Sequence, residues 1–315
     1  FLLITQYSFL YLCVFKHPIM KRYAFIAMLL LSAACRSTQS NPHAQTQSQI
    51  DSFIRSKKAD IGLAVIGPEK DDTFFYNADR LFTMMSVIKF PQAVGLLHLA
   101  SNGKLNLDSI VYFDSSTLNR PTWSPLAEEH PEGDFRLSIA DCFKYSVAKS
   151  DNIVCDQLYD YMSIPALQKF YNENGFSHLN FKFKYRDMNP DSIAGNNSSP
   201  RDMARLLKDF NTDRLCNNQH KNYLLTIMRN TETGPKRLKG MLPGISIAHK
   251  TGTYFEEDSF INALNDVGIV ELKDKTYYIA VFVNNSLEGQ ENTEAIIAQL
   301  NKMVYDFFRK KYGLK

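Results

Sequence analysis

The chain has few cysteines, little net charge, a single tryptophan, and no internal repeat or low-complexity array. Five cysteines occur in 315 residues, and only Cys142, Cys155 and Cys216 fall in the body of the chain. Three is an odd number, and none stands in Cys-x-x-Cys spacing, so neither a disulfide framework nor a zinc site is indicated. Cys142 and Cys155 lie in apolar helical pattern and read as small core residues. The net charge of +3 comes from 36 basic and 33 acidic residues with no basic helix, which gives no reason to expect a nucleic-acid partner. The missing repeat removes solenoids and arrays.

The longest apolar run is near the N-terminus. From Met20, Lys21 and Arg22 form a positive segment, Tyr23 to Leu31 an apolar one, and Ser32, Ala33 and Ala34 a small-residue cleavage site. The run is too short to span a membrane, and it reads as an export signal, implying a periplasmic or membrane-anchored protein. Residues 1–19 read as an upstream extension, and residues 20–44 as signal and tether. Cys35 is a candidate lipid-anchor cysteine; otherwise cleavage follows Ala34 or Ala44. The polar stretch Arg36 to Gln49 reads as a tether or disordered tail.

In the body, "IGLAVIG" and "DTFFYN" predict a β-hairpin. From Ser86 to Met228 the apolar spacing is helical. Strand character returns in "ISIAHKTGT", "FINALNDVGIVEL" and "TYYIAVFVNN", and an amphipathic helix closes the chain at about 292–311. The two ends of the chain thus predict an α/β lobe (residues 45–83 and 243–315), an antiparallel sheet flanked by helices. The middle predicts an inserted all-α lobe (84–242).

Three short motifs carry chemistry. Ser86 and Lys89 are i and i+3 at the start of an apolar helix, so they share a face. A lysine desolvated there can lose its proton and serve as base to the serine. Ser150-Asp151-Asn152 precedes another helix. Asp151 suits a cap or a loop brace, leaving Ser150 and Asn152 to point outward, one to relay a proton and the other to hold a carbonyl. Lys250-Thr251-Gly252-Thr253 ends an apolar strand and offers charge, hydroxyl and backbone to a ligand. Each has an ordinary structural explanation alone. In this order and on these element types, they form the signature of serine β-lactamases and penicillin-binding proteins.

The resemblance is wider than the triple. "FTMMSVIKFPQA", "TWSPL", "YSVAKSDNIVCD", "TETGPKRLKGMLPGISIAHKTGT" and "NALNDVGIVEL" make the chain similar to class A β-lactamases of the extended-spectrum, Bacteroides-type branch, from about Ile61 to Phe308. The resemblance implies a β-lactamase/transpeptidase-like fold and roles residue by residue. Ser86 is the nucleophile and Lys89 its base. The backbone N–H groups of Ser86 and Thr253 form an oxyanion hole, and Ser150 gives a proton to the leaving nitrogen. Lys250 and Thr251, beside Gly252, bind the substrate carboxylate with Arg237 reinforcing. Asn152 holds an amide carbonyl, and Trp123 walls the cleft mouth. No metal or organic cofactor is implied; the partner is a small β-lactam or a peptidoglycan-like substrate, and a monomer is expected.

One part departs from the pattern. The family glutamate that orients the deacylating water falls, in a gap-free reading, on Tyr185 of "KYRDMNPD". A phenol is not a base at neutral pH. Asp187 and Asp191 are the nearest carboxylates, and a shifted loop could present either. Acylation survives this change on paper; turnover is what it threatens. Two further readings stay open: a peptidoglycan-directed or other serine hydrolase of the same fold, and a non-catalytic lactamase-like binding lipoprotein.

Overall fold

The structure, a computed structural model, describes residues 41–189, 192–255 and 260–314. The export and anchor expectations, Cys35 included, lie outside these residues, and so does Asp191. Residues 46–315 form one compact unit.

Helix α1 (Pro42–Arg55) leads into strands β1 (Asp60–Ile66) and β2 (Thr73–Tyr76). The short β3 (Phe82–Thr83) precedes a 3₁₀ turn (Met85–Ile88), which runs directly into α2 (Lys89–Ser101). Strands β4 (Ile110–Phe113) and β5 (Phe135–Ser138) form a ribbon, followed by α3 (Ile139–Phe143), a π-type turn (Lys144–Ala148), α4 (Asn152–Leu158) and α5 (Ile164–Glu173). The short strands β6 (Leu179–Asn180) and β7 (Asn197–Ser198) flank the loop that carries Tyr185. Then come α6 (Pro200–Asn211), α7 (Asn218–Arg229), β8 (Ile247–Tyr254), β9 (Ile261–Leu272), β10 (Lys275–Ser286) and α8 (Gly289–Lys311).

Among the described residues the main sheet has the order β2-β1-β10-β9-β8, with every neighbouring pair antiparallel. Both chain ends feed this sheet, as the sequence predicts, and β8 with its Lys-Thr-Gly lies at an edge. Each face is covered. One face packs Ala64, Ala248, Val267, Ala280 and Phe282 against the helical middle, including α2 and α6. The other packs Leu63, Val65, Ile279 and Val281 against Ile50 and Ile54 of α1 and Ile297, Leu300 and Val304 of α8. Strands buried on both faces read as continuous apolar runs, which is why β1 and β10 show little alternation.

Helix starts follow local chemistry. Ser138, Asp151, Ser163, Ser199 and Asn217 each accept a backbone N–H of the first turn, and Pro165 and Pro200 sit just inside their helices.

Two expectations need correction. The polar stretch to Gln49 is not a tether from Pro42 onward: it is the first half of α1, anchored by Ile50 and Ile54 near its end. The middle of the chain is also not purely helical. The ribbon β4–β5 and the β3-β7-β6 sheet interrupt it, in strands too short to establish a period-two pattern.

Candidate active site

The nucleophile candidate sits on a strained turn. Met85 has φ +49°, in the left-handed region that a side chain disfavours. The surrounding contacts hold it there. Met84 N–H donates to Asn196 O at 2.9 Å, and Asn265 Nδ2 donates to Thr83 O at 2.8 Å and Met84 O at 3.2 Å. Gly252 of β8 lies against the same turn. A Cβ there would come 2.4 Å from Met84 O and 3.2 Å from Ser86 N, so only glycine lets the edge strand approach the serine's amide this closely.

Lys89 follows on the next turn and is fully buried. Its Nζ donates to Ser86 Oγ at 3.0 Å, Ser150 O at 2.6 Å and Asn152 Oδ1 at 2.6 Å. Burial pulls its pKa from about 10.5 to about 8, against an upward pull from Cys155, Asp151 and Asp156. The Cys155 thiol is itself pushed up to about 12 by burial and is neutral at physiological pH, so the two aspartates are the standing opposition.

Ser150 also has positive φ, +63°. Asp151 braces it from behind. One Asp151 carboxylate oxygen caps α4 through Val154 N–H, and the other accepts from Ser124 Oγ and Leu126 N–H, each at 2.8 Å. Ser150 does not stand free in the cleft as its motif suggested. Its Oγ accepts from Lys250 Nζ at 2.9 Å and lies 3.4 Å from Lys89 Nζ. Two buried amines sharing one hydroxyl disfavour each other's charge: Lys250 is held well below its usual range by burial first and by Lys89 second.

The cleft, of about 310 Å³, is lined by Met85, Ser86, Trp123, Ser150, Asn152, Tyr185, Thr233, Thr251 and Thr253. Two expected carboxylate binders are not in this lining. Lys250 is buried on Ser150. Arg237 is buried behind β8, where it pairs with Glu294 and donates to Gly252 O, Asn265 O and Thr253 Oγ1. Of the groups it binds, Thr253 lines the cleft. Asn152 lines the cleft with both ends engaged, Oδ1 on Lys89 and Nδ2 on Thr122. Trp123 is 55% exposed at the mouth, and its indole N–H donates to Lys149 O. Thr233, which the sequence reading passed over, meets Thr251 hydroxyl to hydroxyl at 2.5 Å. Its signal was present in "TETGPKR", two residues after Thr231, whose hydroxyl donates to His249 O in the same strand.

Tyr185 reaches the nucleophile. Its hydroxyl donates to Ser86 Oγ at 3.2 Å, and its ring lies 4.5 Å from Lys89 Nζ. Asp156, fully buried on α4, fixes the loop by accepting Tyr185 N–H at 2.6 Å and Arg186 N–H at 2.9 Å, and Arg120 holds the same carboxylate. Desolvation, with Cys155 and Asp156 assisting, raises the phenol well above its usual range, so it stays protonated. Asp187 is exposed on this loop. Among the described residues the lining contains no carboxylate, and no three His, Cys, Asp or Glu side chains converge as metal ligands.

A serine, a buried amine and a second serine held by another amine can take a proton from a nucleophile and return one to a leaving group. That is the equipment of acyl transfer, and on this sheet-and-helix frame it defines the active-site serine hydrolases. The comparisons with known proteins narrow the class. Residues 45–308 match the β-lactamase enzyme family. A β-lactamase of Bacteroides uniformis is 34% identical over 92% of this chain and 100% of its own length. The β-lactamase VEB-1 of Pseudomonas aeruginosa is 35% identical over 91% of this chain and 98% of its own. The crystal structure of a class A β-lactamase from Bacteroides cellulosilyticus superposes with a TM-score of 0.80 at 35% identity, over 85% of this chain and 99% of that one. The chain belongs to the β-lactamase enzyme family, with the fold of its class A serine members.

Proposed function

We propose that this β-lactamase opens its substrates through an acyl-enzyme on Ser86 and releases the product slowly. Neutral Lys89 takes the Ser86 proton as Oγ attacks the lactam carbonyl. The Ser86 and Thr253 amides receive the developing oxyanion, and Ser150, polarised by Lys250, protonates the departing nitrogen. Thr251 and Thr253 meet the substrate carboxylate, with Lys250 and Arg237 supplying positive potential from behind; Asn152 and Trp123 face the acyl side chain. The observation that carries the slow second step is the Tyr185 hydroxyl beside Ser86 Oγ. A phenol that keeps its proton cannot take one from water, and general-base catalysis is worth about 10²–10⁴-fold.

The same observation favours one relative of this reading, a penicillin-binding type of behaviour on peptidoglycan-like substrates, in which the acyl-enzyme persists. We further propose that the N-terminal segment exports the chain, with Cys35 a candidate lipid anchor; the support is the residue pattern from Met20 to Cys35. The test of the reaction is pre-steady-state turnover of a chromogenic cephalosporin. The expected trace is a burst equal to the enzyme followed by a slow line, and loss of both in Ser86→Ala. A linear trace at hundreds of turnovers per second would refute the slow release.

A further inference from the structure

We infer that Tyr185 is a catalytic residue of the acylation step: its phenol donates a hydrogen bond to Ser86 Oγ and stabilises the negative charge that grows there during attack. The inference rests on the acyl-enzyme reading and gives Tyr185 a positive role besides the loss of a base.

The geometry assigns the donor. Tyr185 Oη lies 3.2 Å from Ser86 Oγ, and Lys89 Nζ lies 3.0 Å from the same oxygen. The two groups divide the work. As the Oγ–carbonyl bond forms, the Ser86 proton passes to neutral Lys89, which becomes ammonium. Tyr185 keeps its proton and hydrogen-bonds the oxygen as it loses its own. The carbonyl π electrons move to the oxyanion; as they return, the C–N bond breaks, Ser150 protonates the nitrogen, and Ser150 takes a proton back from the Lys89 ammonium, 3.4 Å from its Oγ. A hydrogen bond to a charged oxygen is stronger than one to a neutral hydroxyl, so the contact gains strength towards the transition state, which is the requirement for catalysis. The phenol is also held ready: Asp156 fixes the Tyr185 and Arg186 amides, and Arg120 fixes Asp156, so little ordering remains for the moment of reaction. Deacylation returns charge to Ser86 Oγ only when that oxygen departs; the preceding attack by water, which lacks a base, sets the adduct lifetime and places its charge on the carbonyl oxygen, away from the phenol. The contact therefore governs the rate of the first step and not the lifetime of the adduct.

Stopped-flow acylation by a chromogenic cephalosporin, with intact-mass measurement of the adduct, tests this in wild type, in Tyr185→Phe and in protein carrying 3-fluorotyrosine at position 185. Phenylalanine keeps the ring and removes the donor. The expected result is an acylation rate constant lowered about ten- to hundredfold, substrate affinity and adduct lifetime within about twofold of wild type, and a fluorinated phenol, a stronger donor, acylating at least as fast as tyrosine. A purely structural role would leave correctly folded Tyr185→Phe and the fluorinated protein acylating at the wild-type rate. Acylation of Tyr185→Phe at the wild-type rate, or a loss confined to substrate affinity, would overturn the proposal while leaving the acyl-enzyme intact. Failure of wild type to form any Ser86 adduct is a different result and would overturn the acyl-enzyme reading with it.

Discussion

Lys89 shows how much of this site is decided by burial of single residues. An exposed lysine would be about 99.9% protonated at pH 7; with a pKa of about 8, Lys89 is neutral in about one molecule in ten. The neutral form is the base. Acylation should therefore rise about tenfold from pH 6 to pH 7 and level off above pH 8 to 9. A pH profile of the burst rate checks this; a flat profile between pH 6 and 8 would remove Lys89 from the role. The Ser86–Lys89 contact was legible because helical spacing fixes which side chains share a face. The direction of Lys250 was not. Alternation along a strand tells that neighbours face opposite ways, but not that this amine lies buried on Ser150 while the Thr251 hydroxyl lines the cleft. Nor could spacing reveal that Tyr185, 99 residues from Ser86, touches it.

Elements meet at this site with little clearance. Edge strand β8 lies so close to the Ser86 turn that a methyl group at position 252 would meet the backbone oxygen of Met84. Gly252→Ala should push β8 away from the turn and lower acylation at least tenfold, while far-UV circular dichroism stays unchanged; wild-type acylation would contradict the close-approach account. The Tyr185 loop is fixed from α4 through Asp156. Asp156→Ala leaves the half-buried Arg120 and two backbone N–H groups without their shared acceptor, a loss of about 1–3 kcal/mol for unsatisfied donors, measurable as reduced stability in urea. At this scale the strands and long helices were readable from their apolar periods. Helix α1 was not, because 14 residues with two buried isoleucines, Ile50 and Ile54, present almost no stripe. The short ribbons were missed because two to four residues carry no period.

Across the described residues, the sheet separates two cores; Ser86, Lys89 and Ser150 sit on one, and the other reaches the site through the Arg237–Glu294 pair behind β8. The face packed on α1 and α8 ties these two helices to the sheet. Ile54→Ala should cost about 2–5 kcal/mol and lower the thermal midpoint by several degrees, yet leave the burst rate at 25 °C unchanged. Coupling of that change to acylation would contradict the separation. The other core joins the helical middle to the sheet and sets the cleft at their seam, where Ser150 comes from one side and Lys250 from the other. That architecture was the most legible feature, since both chain ends carry strand patterns and the middle carries helical ones. The consequence for function turns on one residue of a loop, Tyr185. The most direct measurement is the lifetime of the Ser86 adduct, followed by intact-mass spectrometry after mixing the wild-type protein with a penicillin and quenching at intervals. The account predicts rapid, complete conversion to a mass increased by the whole antibiotic, persisting long after excess substrate is removed. Free enzyme at every interval, with the penicillin fully hydrolysed, would contradict it.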